Sequence, residues 1–131
     1  MQANATFEIK SWDEKPIHEA PDQPKITHVS AVESLTGDIQ GDIVTEYLMT
    51  YIHKELVHFV RVTRVVGSIG GRSGSFVVQG EGTYETGTAS GGFKVVPGSG
   101  TGGLRGLQGK GVFFAHQSMQ GKFTLEYDFE S

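Results

Sequence analysis

Three arginines are the residues whose type and spacing best suit binding chemistry. Arg61, Arg64 and Arg72 lie between His58 and Gly74, a stretch without an acidic residue. Arginine binds carboxylates and phosphates through a planar fork of donors. On an extended strand residues 61 and 64 point to opposite faces, so at most one of them faces a barrel interior. The stretch predicts an anion or carboxylate site, with a structural ion pair or a solvated arginine as the alternative.

A buried arginine needs an acidic partner, because an uncompensated charge is costly inside a protein. The candidate partners are Glu33, Glu46, Glu81 and Glu126. A short turn at His53-Lys54 places Glu46 near Arg61 or Val62 if the flanking segments form a hairpin. No catalytic residue is predicted. The predicted ligand-binding residues are Glu46, Tyr47, Arg61, Arg64, Glu81 and Tyr127.

Other chemistry-bearing residues form no recognisable motif. The five histidines lack H-x-H and H-x-x-x-H spacing, and no serine sits in G-x-S-x-G, so neither a metal site nor a nucleophile elbow is predicted. Gly98, Gly100 and Gly103 match G-x-G-x-x-G, but later glycines forbid the helix that a dinucleotide site needs. We predict no cofactor, and these observations lean against an enzyme.

Composition excludes further classes. The 131-residue chain has no cysteine, and its 11 basic and 15 acidic residues give a net charge of −4. It therefore has no basic footprint for nucleic acid and no thiol chemistry. No apolar stretch approaches the ~20 residues of a membrane span, and residues 1–10 lack the pattern of a signal peptide. These features predict a cytoplasmic protein that binds neither nucleic acid nor membranes.

Eight segments alternate or are rich in β-branched and aromatic residues. They cover residues 3–12, 26–35, 39–52, 56–66, 73–81, 87–96, 110–116 and 122–130. Residues 13–25 contain Pro16, Pro21 and Pro24 and are predicted to form an extended loop. Residues 46–56 also fit a short helix, although no capping residue precedes them.

The architecture follows from glycines and from two-faced strands. Of the 19 glycines, 16 lie between Gly67 and Gly111 among aromatic and β-branched residues, as expected for the bends of a curled sheet. Several strands carry bulky apolar residues on both faces, which favours a barrel over a sandwich. The sequence predicts one all-β domain, a closed antiparallel barrel of about eight strands with a lipocalin-like architecture.

Four runs in order resemble one known family. They are KSWDEKP at 10–16, EYLMTY at 46–51, RVVGSIGGRSGSF at 64–76 and VPGSGTGGL at 96–104. They resemble a small bacterial family of unknown function whose members have an allene-oxide-cyclase-like β-barrel. The resemblance covers nearly the whole chain and implies that fold. It implies no activity, so no catalytic residue is carried over.

Two functions from different classes remain. The first is a binding module whose barrel holds a small, partly apolar and possibly anionic ligand. The second is a cyclase or isomerase that acts by confining a reactive substrate, an idea that depends on analogy with the barrel alone. Fatty-acid-binding and avidin-type barrels are disfavoured, because prolines replace the helical lid of the former and Trp12 is the single tryptophan.

Excess apolar residues on strands three and four predict a homodimer. The outward set is either Tyr47, Met49 and Tyr51 or Leu48 and Ile52, and alternation alone does not choose between them. Joined to Val60 and Val62, or to Phe59 and Val65, either set forms a patch of the size typical of an interface.

Overall fold

The computed structural model describes residues 1–116 and 120–130, and its regular elements are β-strands throughout that part of the chain. The strands are β1 (Gln2–His18), β2 (Lys25–Gly37), β3 (Ile39–His53), β4 (Leu56–Ile69), β5 (Arg72–Glu85), β6 (Thr88–Val95), β7 (Thr101–Gly102), β8 (Leu107–His116) and β9 (Gln120–Phe129). In these residues no helix is long and apolar enough to cross a membrane.

Eight of the strands close into an antiparallel barrel. Pairing runs β4-β3-β2-β1-β9-β8-β6-β5, and β4 also pairs with β5, which closes the ring. The two-residue β7 adds to β5 outside this circuit. Closure removes the unpaired edges that an open sheet would expose. The predicted closed barrel of about eight strands is confirmed.

Strict alternation places every second side chain of β3 and β4 inside. Ile43, Thr45, Tyr47 and Met49 are buried, whereas the residues between them are exposed. A helix would bury residues at a spacing of three or four, so the segment from residue 46 is confirmed as strand. The hairpin turn falls at Lys54-Glu55 and not at His53-Lys54, because a register shift between residues 51 and 53 adds one residue to β3.

The loop predicted for residues 13–25 is wrong in its first half. β1 continues to His18 and pairs with β2 through Asp13, Lys15 and Pro16. Beyond Glu8, β1 has β2 as its single partner among the described residues. Proline is tolerated on such an edge, where its missing N–H interrupts no ladder on the free side. Pro16 therefore lies in an edge strand, whereas Pro21 and Pro24 lie in the loop between β1 and β2 as predicted.

A β-bulge in β1 determines which of its side chains reach the interior. The register shifts between Ile9, paired with Glu33, and Ser11, paired with Val32, so Lys10 is the extra residue. A bulge reverses the alternation of the residues that follow it. Trp12 and Glu14 consequently share the inner face with Phe7, although their positions in the sequence have opposite parity.

The two ends of the barrel differ. At one end Leu104 and Leu107 are completely or almost completely buried beneath the glycine-rich turn before β8, which closes that end with apolar side chains. At the other end lie the Lys54-Glu55 and Thr86-Gly87 turns and the far ends of β1 and β2. Among the described residues, the interior is accessible from this second end.

Candidate functional site

A cavity of about 510 Å³ occupies the accessible end of the barrel. Its wall is mainly apolar, and seven of its fifteen lining residues are aromatic. The lining is Phe7, Ile9, Trp12, Tyr47, Met49, Tyr51, Lys54, Val57, Phe59, Arg61, Tyr84, Gly87, Ala89, Phe113 and Ala115. A concave, mostly apolar space with few polar groups is the usual form of a small-molecule site.

Arg61 projects from β4 into the base of this cavity and is only 5% exposed. Its Nε and Nη2 donate to the Thr63 hydroxyl at 3.2 and 2.9 Å, and Nη2 reaches the Thr45 hydroxyl at 3.5 Å. The guanidinium carbon lies 4.8 Å from the ring centroid of Phe113 and 5.3 Å from that of Tyr47. These contacts hold the guanidinium in one orientation and offset part of its desolvation.

The charge of Arg61 has no direct acidic partner. In residues 1–116 and 120–130, no carboxylate oxygen lies within 4.0 Å of its nitrogens, and Nη1 makes no hydrogen bond. Every fully buried polar side-chain atom there has a hydrogen-bond partner. Nη1 is therefore not fully enclosed, and since Arg61 lines the cavity, one arm of the fork remains without a partner among the described residues.

Glu33 is a second buried charge behind the cavity wall. It is 1% exposed and accepts a hydrogen bond of 3.4 Å from the Tyr47 hydroxyl. Burial raises the pKa of Tyr47 to about 12, with the nearby Arg61 charge opposing the shift and Glu33 adding to it. The Tyr47 phenol therefore stays protonated at neutral pH and lies between the two charges.

A polar network surrounds Glu14 near the mouth. Its carboxylate accepts hydrogen bonds from Tyr51, from Thr27 at 2.7 Å and from Trp12 at 3.1 Å. Burial alone would raise the pKa of Glu14, but these hydrogen bonds outweigh it and the pKa is lowered. Burial, together with the bond to Glu14, raises the pKa of Tyr51 to about 12. The network positions the Trp12 and Tyr51 rings at the cavity rim.

Aromatic rings form a continuous wall from the rim to Arg61. The centroids of Trp12 and Tyr47 are 5.5 Å apart, those of Tyr47 and Phe59 5.6 Å, and those of Phe59 and Phe113 5.9 Å. Gly82 and Gly91 pair across β5 and β6, and a methyl group on either would lie 2.9–3.0 Å from a ring carbon of Phe59 or Phe113. These two glycines let the rings lie against the backbone and keep the cavity open.

Only two of the six predicted binding residues line the cavity, Tyr47 and Arg61. Glu46, Arg64 and Glu81 are exposed on the outer face of the barrel and do not line the interior cavity. Glu46 instead accepts hydrogen bonds from His28 at 2.9 Å and from Ser30 at 2.8 Å. The outward positions of Glu46, Arg64 and Glu81 follow from alternation, because each lies an odd number of residues from an inward-facing residue on its strand.

Tyr127 does not line the cavity either. It is half-buried on β9, packs edge-on against Phe129 at 6.0 Å, and its hydroxyl lies beside the Gly70 turn at the closed end. Tyr127 therefore lies toward the closed end, whereas Arg61 lines the cavity at the accessible end.

Several interior residues were not predicted as binding residues. They are Glu33, Thr45, Thr63, Phe59, Phe113 and Trp12. Once Arg61 is known to face inward, its cross-strand partner Tyr47 must do so too, and alternation then adds Thr45, Phe59 and Thr63. Trp12 was not predictable, because the bulge at Lys10 has no signal in a single sequence.

The raised pKa of Tyr47 has a consequence for stability. Folded Tyr47 ionises near pH 12 and the unfolded residue near 10, so its contribution is complete below pH 10 and is lost as pH rises to 12. Wild type should lose up to about 3 kcal/mol more than Tyr47→Phe between pH 9 and 12. Urea unfolding at both pH values measures this difference, and Tyr51 cancels because both proteins keep it. Equal losses would show that Tyr47 titrates normally.

The fold and cavity define an eight-stranded antiparallel β-barrel with a small-molecule-sized lumen open at one end. The chain belongs to the family described as "Protein of unknown function (DUF3224)", which it matches over residues 3–127. The sequence resemblance to a family of unknown function is thereby confirmed.

A solved structure has the same fold. It is the crystal structure of a protein of unknown function from the DUF3224 family of Shewanella oneidensis MR-1, with 23% sequence identity and a TM-score of 0.79. The similarity covers 100% of this chain and 98% of that one. No curated protein matches the chain.

Proposed function

We propose that this protein binds a small carboxylate with an apolar, largely unsaturated body, its head group on Arg61 and its body in the cavity. The observation that supports this is a buried guanidinium that lines the cavity without a direct acidic partner, one arm of which has no partner among the described residues. A buried charge of this kind costs stability unless something pairs with it.

The anion follows from the donor geometry. Thr63 holds Nε and Nη2, so the guanidinium is already oriented when a ligand arrives. A carboxylate oxygen at Nη1 would gain a short, charge-assisted hydrogen bond in a site shielded from water. The protonated Tyr47 hydroxyl lies close to the same charge and is a further neutral donor.

The body of the ligand follows from the wall. Seven aromatic rings and several aliphatic side chains bound a space of about 510 Å³. A space of this size is within the usual range of small-molecule pockets, so the ligand is a small molecule and not a polymer. Ring stacking favours a flat, unsaturated body over a saturated chain of equal size.

A thermal-shift comparison of paired compounds tests this proposal. Naphthalene-2-carboxylate and decanoate are each compared with the corresponding amide at millimolar concentration. We expect both acids to raise the melting temperature and the amides to do so much less, because only the acids pair with Arg61. If no carboxylate shifts the melting temperature, or if amides and acids act equally, the proposal is wrong.

The isomerase or cyclase alternative has one observation in its favour. Tyr47, a protonated donor, lies beside an anion-binding guanidinium at the base of a confined cavity. The acid nearest to this pair is Glu33, which is behind the wall and does not line the cavity. Incubating each compound that binds and following it by NMR distinguishes the two functions. Unchanged ligand after long incubation supports binding alone.

A further inference from the structure

We infer that the outer face of β3–β6 and β8 is the interface of a homodimer related by a two-fold axis parallel to the strands. This face carries a groove of about 800 Å³, larger than the interior cavity. Its lining includes the outward-facing Glu46, Leu48, Val60, Glu81 and Lys110, together with Arg61, whose side chain faces the interior. The inference is independent of the proposed ligand.

One row of paired residues across this face carries opposite charges at its two ends. It runs Glu46, Val62, Gln79, Lys94, Lys110 from β3 to β8. A two-fold axis that runs parallel to β5 and passes above Gln79 places the row of the second copy against this row in reverse order. Glu46 of one copy then faces Lys110 of the other, on both sides of the axis, as a closed isologous interface requires.

The adjacent row is mainly aliphatic, and the same axis brings its aliphatic members together. It runs Leu48, Val60, Glu81, Gly92, Val112, and its aliphatic members are about half exposed. Leu48 then faces Val112 of the second copy, and Val60 faces the space above Gly92. A Cβ at Gly92 would meet nothing closer than 3.6 Å, so this space is open. The structure thus places Leu48, and not Tyr47, in the outward set.

Glu81 is the residue of this row that does not favour the dimer, and it predicts the direction in which a substitution changes dimer affinity. It lies on the axis and meets its own copy, so like charges approach there unless Lys94 on the next strand screens them. We therefore expect Glu81→Gln to tighten the dimer several-fold. A contact at any other face would leave the dimer indifferent to this change.

Two charge-reversal variants of this chain test the interface. Analytical ultracentrifugation should show wild type at twice its 14.2 kDa mass. Glu46→Lys and Lys110→Glu, each alone, should raise the dimer dissociation constant at least 10-fold, because each makes like charges face one another. Mixed in equal amounts, the two variants should form a heterodimer within about 3-fold of wild-type affinity.

Lys122→Glu is the matched control, since it makes the same charge change on the outer face of β9, outside the groove. It should leave the dimer unchanged. The inference is overturned if wild type has a mass near 14 kDa at every concentration. It is equally overturned if a dimer forms but ignores both reversals, or if the mixture does not recover.

Discussion

Replacing Arg61 with methionine is expected to lower carboxylate affinity roughly 10- to 100-fold, down to the affinity of the matched amide. Arg61 is the charged group at the cavity base, and loss of one charge-assisted hydrogen bond costs about 1.5–3 kcal/mol. Methionine keeps most of the apolar stem and tolerates irregular packing. Isothermal titration with naphthalene-2-carboxylate measures the loss directly.

The control for this change is Arg64→Met, which removes the same charge from the outer face of the same strand. Its carboxylate affinity should equal that of wild type. Arg61→Met leaves Glu33 buried without a nearby cation and is expected to be less stable. The double variant Arg61→Met/Glu33→Gln removes both charges, so carboxylate binding can still be measured if Arg61→Met alone does not fold. Undiminished carboxylate binding in a folded Arg61 variant would contradict the site.

The single variant Glu33→Gln is expected to change carboxylate affinity in the direction opposite to Arg61→Met. Glutamine keeps an acceptor for the Tyr47 hydroxyl but removes the negative charge closest to the site. The remaining Arg61 charge then attracts an anion more strongly, so carboxylate affinity should rise several-fold. Stability without ligand should fall, because Arg61 becomes the sole charge in that part of the core.

Replacing Gly91 with alanine is expected to destabilise the fold by about 3 kcal/mol and to lower the melting temperature by roughly 10 °C. A methyl group there would collide with the Glu81 carbonyl oxygen and lie 2.7 Å from the Gly82 Cα. It would also lie 2.9 Å from a ring carbon of Phe113. Backbone atoms of a paired strand cannot move aside as a flexible side chain can, so the collision strains the β5–β6 pairing.

Gly92→Ala is the matched control, because it makes the same substitution one residue later on the same strand. Its methyl group points outward and meets nothing within 3.5 Å, so stability should change by less than about 1 kcal/mol. Because Gly92 lies in the inferred dimer interface, urea unfolding of both variants at a protein concentration low enough for the monomer to predominate measures the difference. Similar midpoints for the two variants would mean that the inner wall has room that the structure does not show.

Much of the fold was predictable from local pattern. The alternation in residues 122–130 and the turn glycines between strands predicted eight barrel strands, and the structure has eight in the closed ring. Most boundaries shifted outward by a few residues, as at β5, which ends at Glu85, whereas β6 is one residue shorter at each end than predicted. The largest error was the first half of the loop predicted at residues 13–25, where Pro16 was taken as a break although β1 continues to His18 as an edge strand.

The candidate site was only partly predictable. Alternation showed correctly that Arg61 and Arg64 face opposite ways, but it did not say which one faces inward. Glu33 was recognised as a possible partner of a buried arginine, and it is buried nearby without reaching 4.0 Å from Arg61. The Thr45–Thr63 pair that holds the guanidinium was missed, since threonine in a strand is too common to signal a role.

The sequence by itself determined what depends on a few neighbouring residues: strand alternation, the glycine-rich turns, and the lack of cysteine and of a basic footprint. Only the tertiary structure decided which face is inside where both faces of a strand have similar residues. Both faces of β4 combine an apolar residue with an arginine, Phe59 with Arg61 inside and Val60 with Arg64 outside, so hydrophobicity cannot choose between them. That choice is made when distant segments pair, as Gln2 does with Glu126, because closing the sheet makes one face concave and excludes water from it.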